Sequence, residues 1–421
     1  MNLTKIPVWL AVLINVNIVV GSAFFIGASD IAHLSGQLAP FCWLLYGCLL
    51  IPLVVAFASL SRLYPTAGGM YVYSTQLLGK MWGFLSGWGY YIGTAVGNAI
   101  VIHAIGTMLH TVPATSEALT AWGLHPVVID MIGITIFSCL NLLNIEFFER
   151  LQIGFSVLKC IPFLLVIVSV PFLFKVSNIT QAPIIWGGLF NTMPFVLFAY
   201  IGVEACCAIA DKIENGKQNA YKAIILSCIS IIALYTIFQG LILAIQPQNQ
   251  HNVFLGIIPL LTDNQTIVHV GNSLIQGAII VSCFGGFYGM FYFNNWNLYA
   301  MANERSIVGS SMLAKMNKHQ SPWICVITQA LIIVLFLLFS PNVEYLVVIS
   351  NFGILVAYSL SALAFIKIRK SFSSLLALVS CGGLLYISCA HAAAFGIALF
   401  LPFLGVMLLG VLAHMLQQRK T

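Results

Sequence analysis

The stretch "VVGSAFFIGAS", Val19 to Ser29, lies inside an apolar run long enough to cross a membrane. It places Gly21, Ser22 and Ala23 at the middle of that run, where strong helix formers would serve a helix better. Two readings compete. In one, nothing spans here: Lys5 is the charged start, Ile6 to Val20 the apolar core and Gly21-Ser22-Ala23 the small-residue cleavage site of a signal peptide. In the other, the helix spans and breaks at its midpoint. A bilayer tolerates such a break only where the freed backbone lines a cavity or is buried in protein. The rest of the chain decides between them.

The chain has 421 residues, 60% of them hydrophobic and only 7% charged, with mean hydropathy +1.00. A soluble protein carries roughly 25% charged residues, so this chain cannot cover itself with a water-facing shell. It reads as an all-α polytopic membrane protein. The net charge of +6 comes from basic residues scattered singly between apolar runs. With no basic stripe, a nucleic-acid partner is excluded. Eleven cysteines show neither a CxxC pair nor metal-ligand spacing, and those such as Cys206, Cys207 and Cys228 sit in apolar runs as small packing residues. No Gly-x-x-x-x-Gly-Lys-Ser/Thr loop and no catalytic dyad is present. No enzyme, cofactor or metal is expected.

A bilayer core takes roughly 20 apolar residues per helix. Twelve such runs lie near 7–33, 38–61, 82–110, 125–145, 151–174, 187–210, 220–245, 271–301, 322–340, 343–367, 372–390 and 393–416. The longest loop between them is around Gln246 to Val270, and no linker marks a second domain. If the N-terminus is cytoplasmic, fifteen of the seventeen basic residues, from Lys5 and Arg62 to Arg419 and Lys420, fall on the inside. That bias obeys the positive-inside rule with both termini cytoplasmic. Cleavage after Ala23 would remove the first span and spoil the alternation, so the broken-helix reading prevails.

Transporters built from inverted repeats pair two broken helices across the midplane. The counterpart of span one is span six, "FVLFAYIGVEACCAIADKIEN", with Gly202 and Glu204 near its centre. Five spans per repeat is an odd number, so the second repeat is inverted. Repeat one covers about 7–175, repeat two about 185–368, and two trailing helices about 372–416, all in one transmembrane domain.

Five motifs in order carry a resemblance to the amino acid–polyamine–organocation transporter superfamily. "GSAFFIG" is similar to its Gly-Ser-Gly-Ile-Phe signature, and "YPTAGGMYVY" (Tyr64–Tyr73) to its Pro-x-x-Gly-Gly-x-Tyr-x-Tyr segment. "FAYIGVEA" (Phe198–Ala205) resembles its helix-six motif, and "DKIENGKQNAYKAI" and "LYAMANERS" its cytoplasmic segments. Among branches, "GWGYYIGTAVGN" and "CLNLLNIEFFERLQ" most resemble the basic amino acid and polyamine exchangers, such as the arginine–agmatine exchanger. The resemblance implies the five-plus-five fold and alternating access without ATP. It also implies an amino acid or amine substrate exchanged or driven by protons, and a cell membrane location, with economy of loops suggesting a prokaryotic inner membrane. A homodimer is compatible with it.

The resemblance further implies that Gly21, Ser22 and Ala23 receive a substrate carboxylate on unwound N–H groups, as a helix start favours. Ala23 departs from the family's glycine and narrows the approach, which keeps a decarboxylated amine in play. It places Asn98 beside substrate with Phe198, Ala199 and Ile201 of span six, Phe198 being an aromatic gate and Tyr90 the lower gate. Asn98 and Tyr90 are about 12 Å apart along span three and so belong to different layers; Asn98 reads equally as interhelical glue. The second gate residue is Phe287, Met290 or Phe291, where the arginine exchanger has tryptophan, the best cation–π partner.

Glu204 is the acid deep in a span. An intramembrane carboxyl is a functional hypothesis by default, here proton loading and release, against a plain reading as a neutral hydrogen-bonded bridge. Lys159, roughly 13 Å into span five, is either a built-in substitute for the cation that sodium-coupled relatives bind between helices one and eight, whose deprotonation would couple transport to protons together with Glu204, or a counter-charge to Glu204 or to helix-end carbonyls. His103 reads as a proton relay or a hydrogen-bonded core residue, and Asp211 to Lys222 as a solvated face. A polyamine transporter, a nutrient receptor that binds without transporting, and a membrane enzyme remain as rivals.

Overall fold

The computed structural model describes residues 5–111, 119, 121–123, 125–245, 253–339, 343–395 and 400–419. Lys420, counted among the inside charges, lies outside them. Among the described residues nine helices are long and apolar enough to cross a membrane, and Val8–Val19, Pro126–Asn141 and Trp323–Leu338 are shorter apolar helices. Together they fall on the twelve expected spans. Apart from two isolated bridges, the described residues form no β-structure. The chain is an all-α polytopic membrane protein.

Two spans start earlier than their apolar runs, for a local reason. Span five begins at Ile145 because the Asn144 side chain accepts the Phe147 N–H at 3.1 Å. Span eight runs Gln265–Asn303 because Asn264 accepts from Thr266 and Ile267. Asparagine caps satisfy N–H groups that a helix start leaves orphaned. The earlier start places Lys159 about 21 Å along span five, at mid-helix.

Span one is interrupted. Its first half is Val8–Val19; the chain turns at Val20–Gly21, and Ser22–Phe25 and Gly27–Ser35 continue it. Span six likewise runs Met193–Tyr200, unwinds over 201–204 and resumes as the 3₁₀ segment Ala205–Lys212. The two breaks face each other. Gly202 has φ +102°, and a Cβ there would stand 3.0 Å from Ile18 of span one. Only glycine meets both demands.

The segment after span two also carries a helix of its own, Gly69–Leu78, which follows a left-handed Gly68 whose N–H bonds Ala208 of span six. Spans three and ten pack most extensively, followed by spans two and seven. At one end of the molecule Ile6 pairs with residues 212–214 through Ile6 N–H to the Lys212 carbonyl and Glu214 N–H to Ile6. There the Lys212 ammonium stands 3.4 Å above the Trp296 ring. The stretch from Asp211 is therefore partly packed, with Ile213 and Ala220 buried, rather than a wholly solvated face.

Candidate functional site

The paired breaks enclose a cavity of about 50 Å³ open to the centre of a water molecule, room for about four waters. Gly21, Ser22 and Ala23 line it from span one, Asn98 and Thr94 from span three, Phe198 and Ile201 from span six, and Met290 from span eight. Phe198 lies in the last turn of the helical half of span six and Ile201 is the first residue of its unwound part. Ala199 points elsewhere: it is buried away from the cavity, and its carbonyl lies 3.1 Å from the Tyr235 hydroxyl. Of the three candidates for the second gate position, Met290 lines the cavity, while Phe287 and Phe291 are buried outside its lining.

The cavity's polar groups are few and uncommitted. Asn98 Nδ2 and Thr94 Oγ1 are buried without a protein partner. They sit four residues apart, hence on one face of span three. The N–H groups of Gly21, Ser22 and Ala23 have no acceptor among the described residues, because a new helix begins there.

Several carbonyls at the breaks, by contrast, have partners. Lys159 Nζ donates to the Asn17 carbonyl at 2.6 Å and also to that of Val20. Tyr235 donates toward Val19 at 2.9 Å and Ala199, so one hydroxyl of span seven touches both breaks. Asn15 donates to the Val203 carbonyl at 2.6 Å and accepts from Cys206 N–H, securing the unwound part of span six. Asn17 donates to the Gln152 side chain, whose own amide donates to Gly285 of span eight.

Glu204 and Lys159 belong to different clusters. Glu204 accepts from Tyr90 at 2.8 Å and Tyr358 at 2.7 Å, so Lys159 is the counter-charge of helix-end carbonyls and not of Glu204. Tyr90, expected as a gate, is joined to Glu204 directly. Asn98 and Tyr90 line separate cavities: the first lines the cavity between the breaks, the second a smaller one beside Glu204.

Thr94, Asn15, Gln152 and Tyr235 were not singled out in the sequence. Only Thr94 carried a signal, its helical spacing from Asn98. Glu204 is also not the one buried acid in a span. Asp130 of span four is buried and pairs with His103 at 2.8 Å, which makes His103 a paired residue away from the cavity. Among the described residues no group of three His, Cys, Asp or Glu could hold a metal ion.

A multi-span helical bundle whose first and sixth spans break beside a shared cavity is the architecture of a secondary transporter. The amino acid permease family model matches residues 6–415, and the chain belongs to that family. It is 25% identical over 382 residues to the serine/threonine exchanger SteT of Bacillus subtilis (strain 168), covering 87% of this chain and 83% of that protein. It is 22% identical over 379 residues to the DL-alanine permease SerP2 of Lactococcus lactis subsp. cremoris, covering 84% and 79%. An aspartate-proton symporter of Bacillus subtilis matches at 23% over 249 residues, covering 54% and 45%. Relatives of this kind make amino acid transport, not enzymatic chemistry, the activity of the family.

Proposed function

We propose that this chain is a sodium-independent secondary transporter of small neutral amino acids, working by alternating access in the cell membrane with both termini cytoplasmic. The observation that carries the proposal is the unequal use of the backbone at the span-one break. The Asn17, Val19 and Val20 carbonyls are bonded by Lys159 and Tyr235, while the N–H groups of Gly21, Ser22 and Ala23, residues that line the cavity, have no acceptor among the described residues. Such a wall binds an acceptor, which an amino acid supplies as its carboxylate. Asn98 and Thr94 stand ready on span three, and Phe198, Ile201 and Met290 enclose the side chain.

Substrate size follows from the same cavity. Room for about four waters is nearer to alanine or serine than to arginine, and Phe198 and Met290 lack tryptophan's cation–π strength. The names of the serine/threonine exchanger and the alanine permease agree with that class. The basic amino acid and polyamine exchanger reading is correspondingly weaker, and a polyamine offers no carboxylate to the free N–H groups. Lys159, already seated on span-one carbonyls, takes the place where sodium-coupled relatives bind their cation; Lys159 and Glu204 are the groups that load and release a proton.

The test is uptake of labelled serine, alanine and arginine into sodium-free proteoliposomes, empty or preloaded with unlabelled amino acid, under an inward proton gradient. Serine or alanine uptake into empty vesicles, lost when the gradient collapses, is the expected result. Uptake only into preloaded vesicles would make the protein an exchanger and remove the proton role of Glu204. Preference for arginine or its amine would overturn the substrate class, and binding without flux would make it a receptor.

A further inference from the structure

We propose that Thr94 makes the cavity between the breaks selective for a β-hydroxy amino acid of serine size over its apolar counterparts, by giving the substrate hydroxyl a partner. The proposal rests on the small neutral amino acid reading above and names the member of that class that the cavity prefers.

Span three shows the cavity Thr94, Gly97, Asn98 and Val101. Counted from Thr94 they are three, four and seven residues on, the spacing of a single helix face. Two of the four are polar, and they differ in kind. Asn98 Nδ2 only donates, like the N–H groups of Gly21, Ser22 and Ala23, and so suits a carboxylate oxygen. Thr94 Oγ1, about 6 Å nearer to Tyr90 along the axis, both donates and accepts. The Phe198 ring lies against the same face, 3.5 Å from where a side chain on Gly97 would begin.

The Thr94 hydroxyl is not used by its own helix. A hydroxyl inside a helix commonly bonds the carbonyl one turn back, and in this chain Thr75, Ser138, Ser156, Thr328 and Ser359 do so at 2.6 to 2.8 Å. Thr94 Oγ1 is buried without such a bond to the Tyr90 carbonyl, and the Tyr90 hydroxyl is given to Glu204 at 2.8 Å. Other buried hydroxyls also lack a protein partner, Ser61, Ser74, Ser282 and Ser361 among them, but Thr94 is the one that lines this cavity. Ser22 lines it too, from the span-one wall that carries the unpaired N–H groups, and Cys283 adds only a weakly bonding thiol.

Water meets such a hydroxyl in an unloaded cavity. A substrate that fills room for about four waters expels that water, and a group that cannot reproduce its hydrogen bonds loses affinity. Serine brings a hydroxyl that can donate to Thr94 Oγ1 and accept from it. 2-Aminobutyrate is the same molecule with a methyl in place of that hydroxyl; it fills the same room and leaves Thr94 without a partner. A site that bonds a substrate hydroxyl rejects the analogue lacking it, whereas an apolar pocket discriminates weakly against an added hydroxyl. Phe198, Ile201 and Met290 alone would make the second kind of site, and Thr94 makes it the first.

Uptake of labelled alanine into sodium-free proteoliposomes, competed by unlabelled serine or 2-aminobutyrate, reads the preference as the ratio of the two half-inhibition concentrations. In the wild type serine should compete at least about tenfold better, about 1.4 kcal/mol. Thr94→Ser keeps a hydroxyl and should keep the preference. Thr94→Val and Thr94→Ala remove the hydroxyl with and without a replacing methyl, and either should bring the ratio to about one or reverse it. A wild-type ratio near one would overturn the proposal. So would a ratio in Thr94→Val or Thr94→Ala as large as in the wild type, with both competitors weakened alike, because the hydroxyl then meets the ammonium that both share. These results leave the transport of small neutral amino acids standing, since labelled alanine still enters. A wild type that takes up no alanine and is served by arginine instead would overturn that reading, and the role of Thr94 with it.

Discussion

Replacing Lys159 with methionine keeps the length of the side chain and removes its ammonium. The Asn17 and Val20 carbonyls then lose their donor at the point where span one stops being a helix. A hydrogen bond from a charged donor contributes about 1.5–3 kcal/mol net in water-soluble proteins, and interhelical polar contacts in membranes average about 0.6 kcal/mol. Taking about 1 kcal/mol for each of two bonds gives about 2 kcal/mol. The loss is local, because the ammonium no longer has to be buried and the helices around it keep their apolar contacts. It should therefore appear at the junction and only weakly in the melting temperature. Since 1.4 kcal/mol is a factor of ten, amide hydrogen exchange at Val20, Phe24 and Phe25, the hydrogen-bonded amides of the junction, should quicken about thirtyfold in Lys159→Met, while exchange in span ten stays within threefold. Proton-driven uptake should fall in the same variant, and added sodium should not be needed by the wild type. Protection at those three amides unchanged within threefold would refute the assignment of Lys159 as the support of the broken helix.

Glu204→Gln keeps the shape but cannot accept from both Tyr90 and Tyr358 through carboxylate oxygens; the pH dependence of uptake should flatten while the KM of serine exchange stays within threefold. Met290→Trp should fill much of the cavity and raise the KM for serine at least tenfold, about 1.4 kcal/mol, as read by initial rates; an unchanged KM would place substrate elsewhere. Asn15→Ala strands the Val203 carbonyl and the Cys206 N–H and should lower stability by about 2 kcal/mol, seen as a lower melting temperature in detergent. That loss should exceed the effect of Ala11→Gly one turn earlier.

Both breaks were legible in the chain because glycine and small polar residues stand out inside an apolar run. Gly202 then proves to be required twice, by its positive φ and by Ile18 3.0 Å from where a side chain would begin. Glu204 was legible for the same reason, as a lone acid among apolar neighbours. Of the supports of the breaks, Lys159 was singled out as an intramembrane charge, while Asn15 and Tyr235 were not. Asn15 meets Val203 across 188 positions, Tyr235 meets Val19 across 216 and Lys159 meets Val20 across 139. An asparagine or tyrosine in an apolar span looks the same whether it faces a freed carbonyl or a neighbouring helix. Asp130 escaped notice because it lies five residues into span four, where a boundary error of one turn turns a buried acid into an interfacial one. The caps Asn144 and Asn264 were hidden by reading apolar runs alone, which begin about a turn and a half after the helices do.

The supports also say what kind of ligand the break is built for. Unwinding a helix frees donors and acceptors in equal number, and in a membrane each must find a partner. Here the partners are distributed unevenly. Carbonyls of the first half of span one are taken by an ammonium and a phenol from spans five and seven, and the Val203 carbonyl of span six by Asn15. The N–H groups of Gly21, Ser22 and Ala23, whose residues line the cavity, have no acceptor among the described residues. A site arranged to bind a bare ammonium through main-chain carbonyls would have to leave those carbonyls open. Three N–H groups at that break have no acceptor among the described residues, which agrees with the carboxylate-bearing substrate proposed above, and Ala23, with a methyl where the family signature has a hydrogen, keeps its N–H.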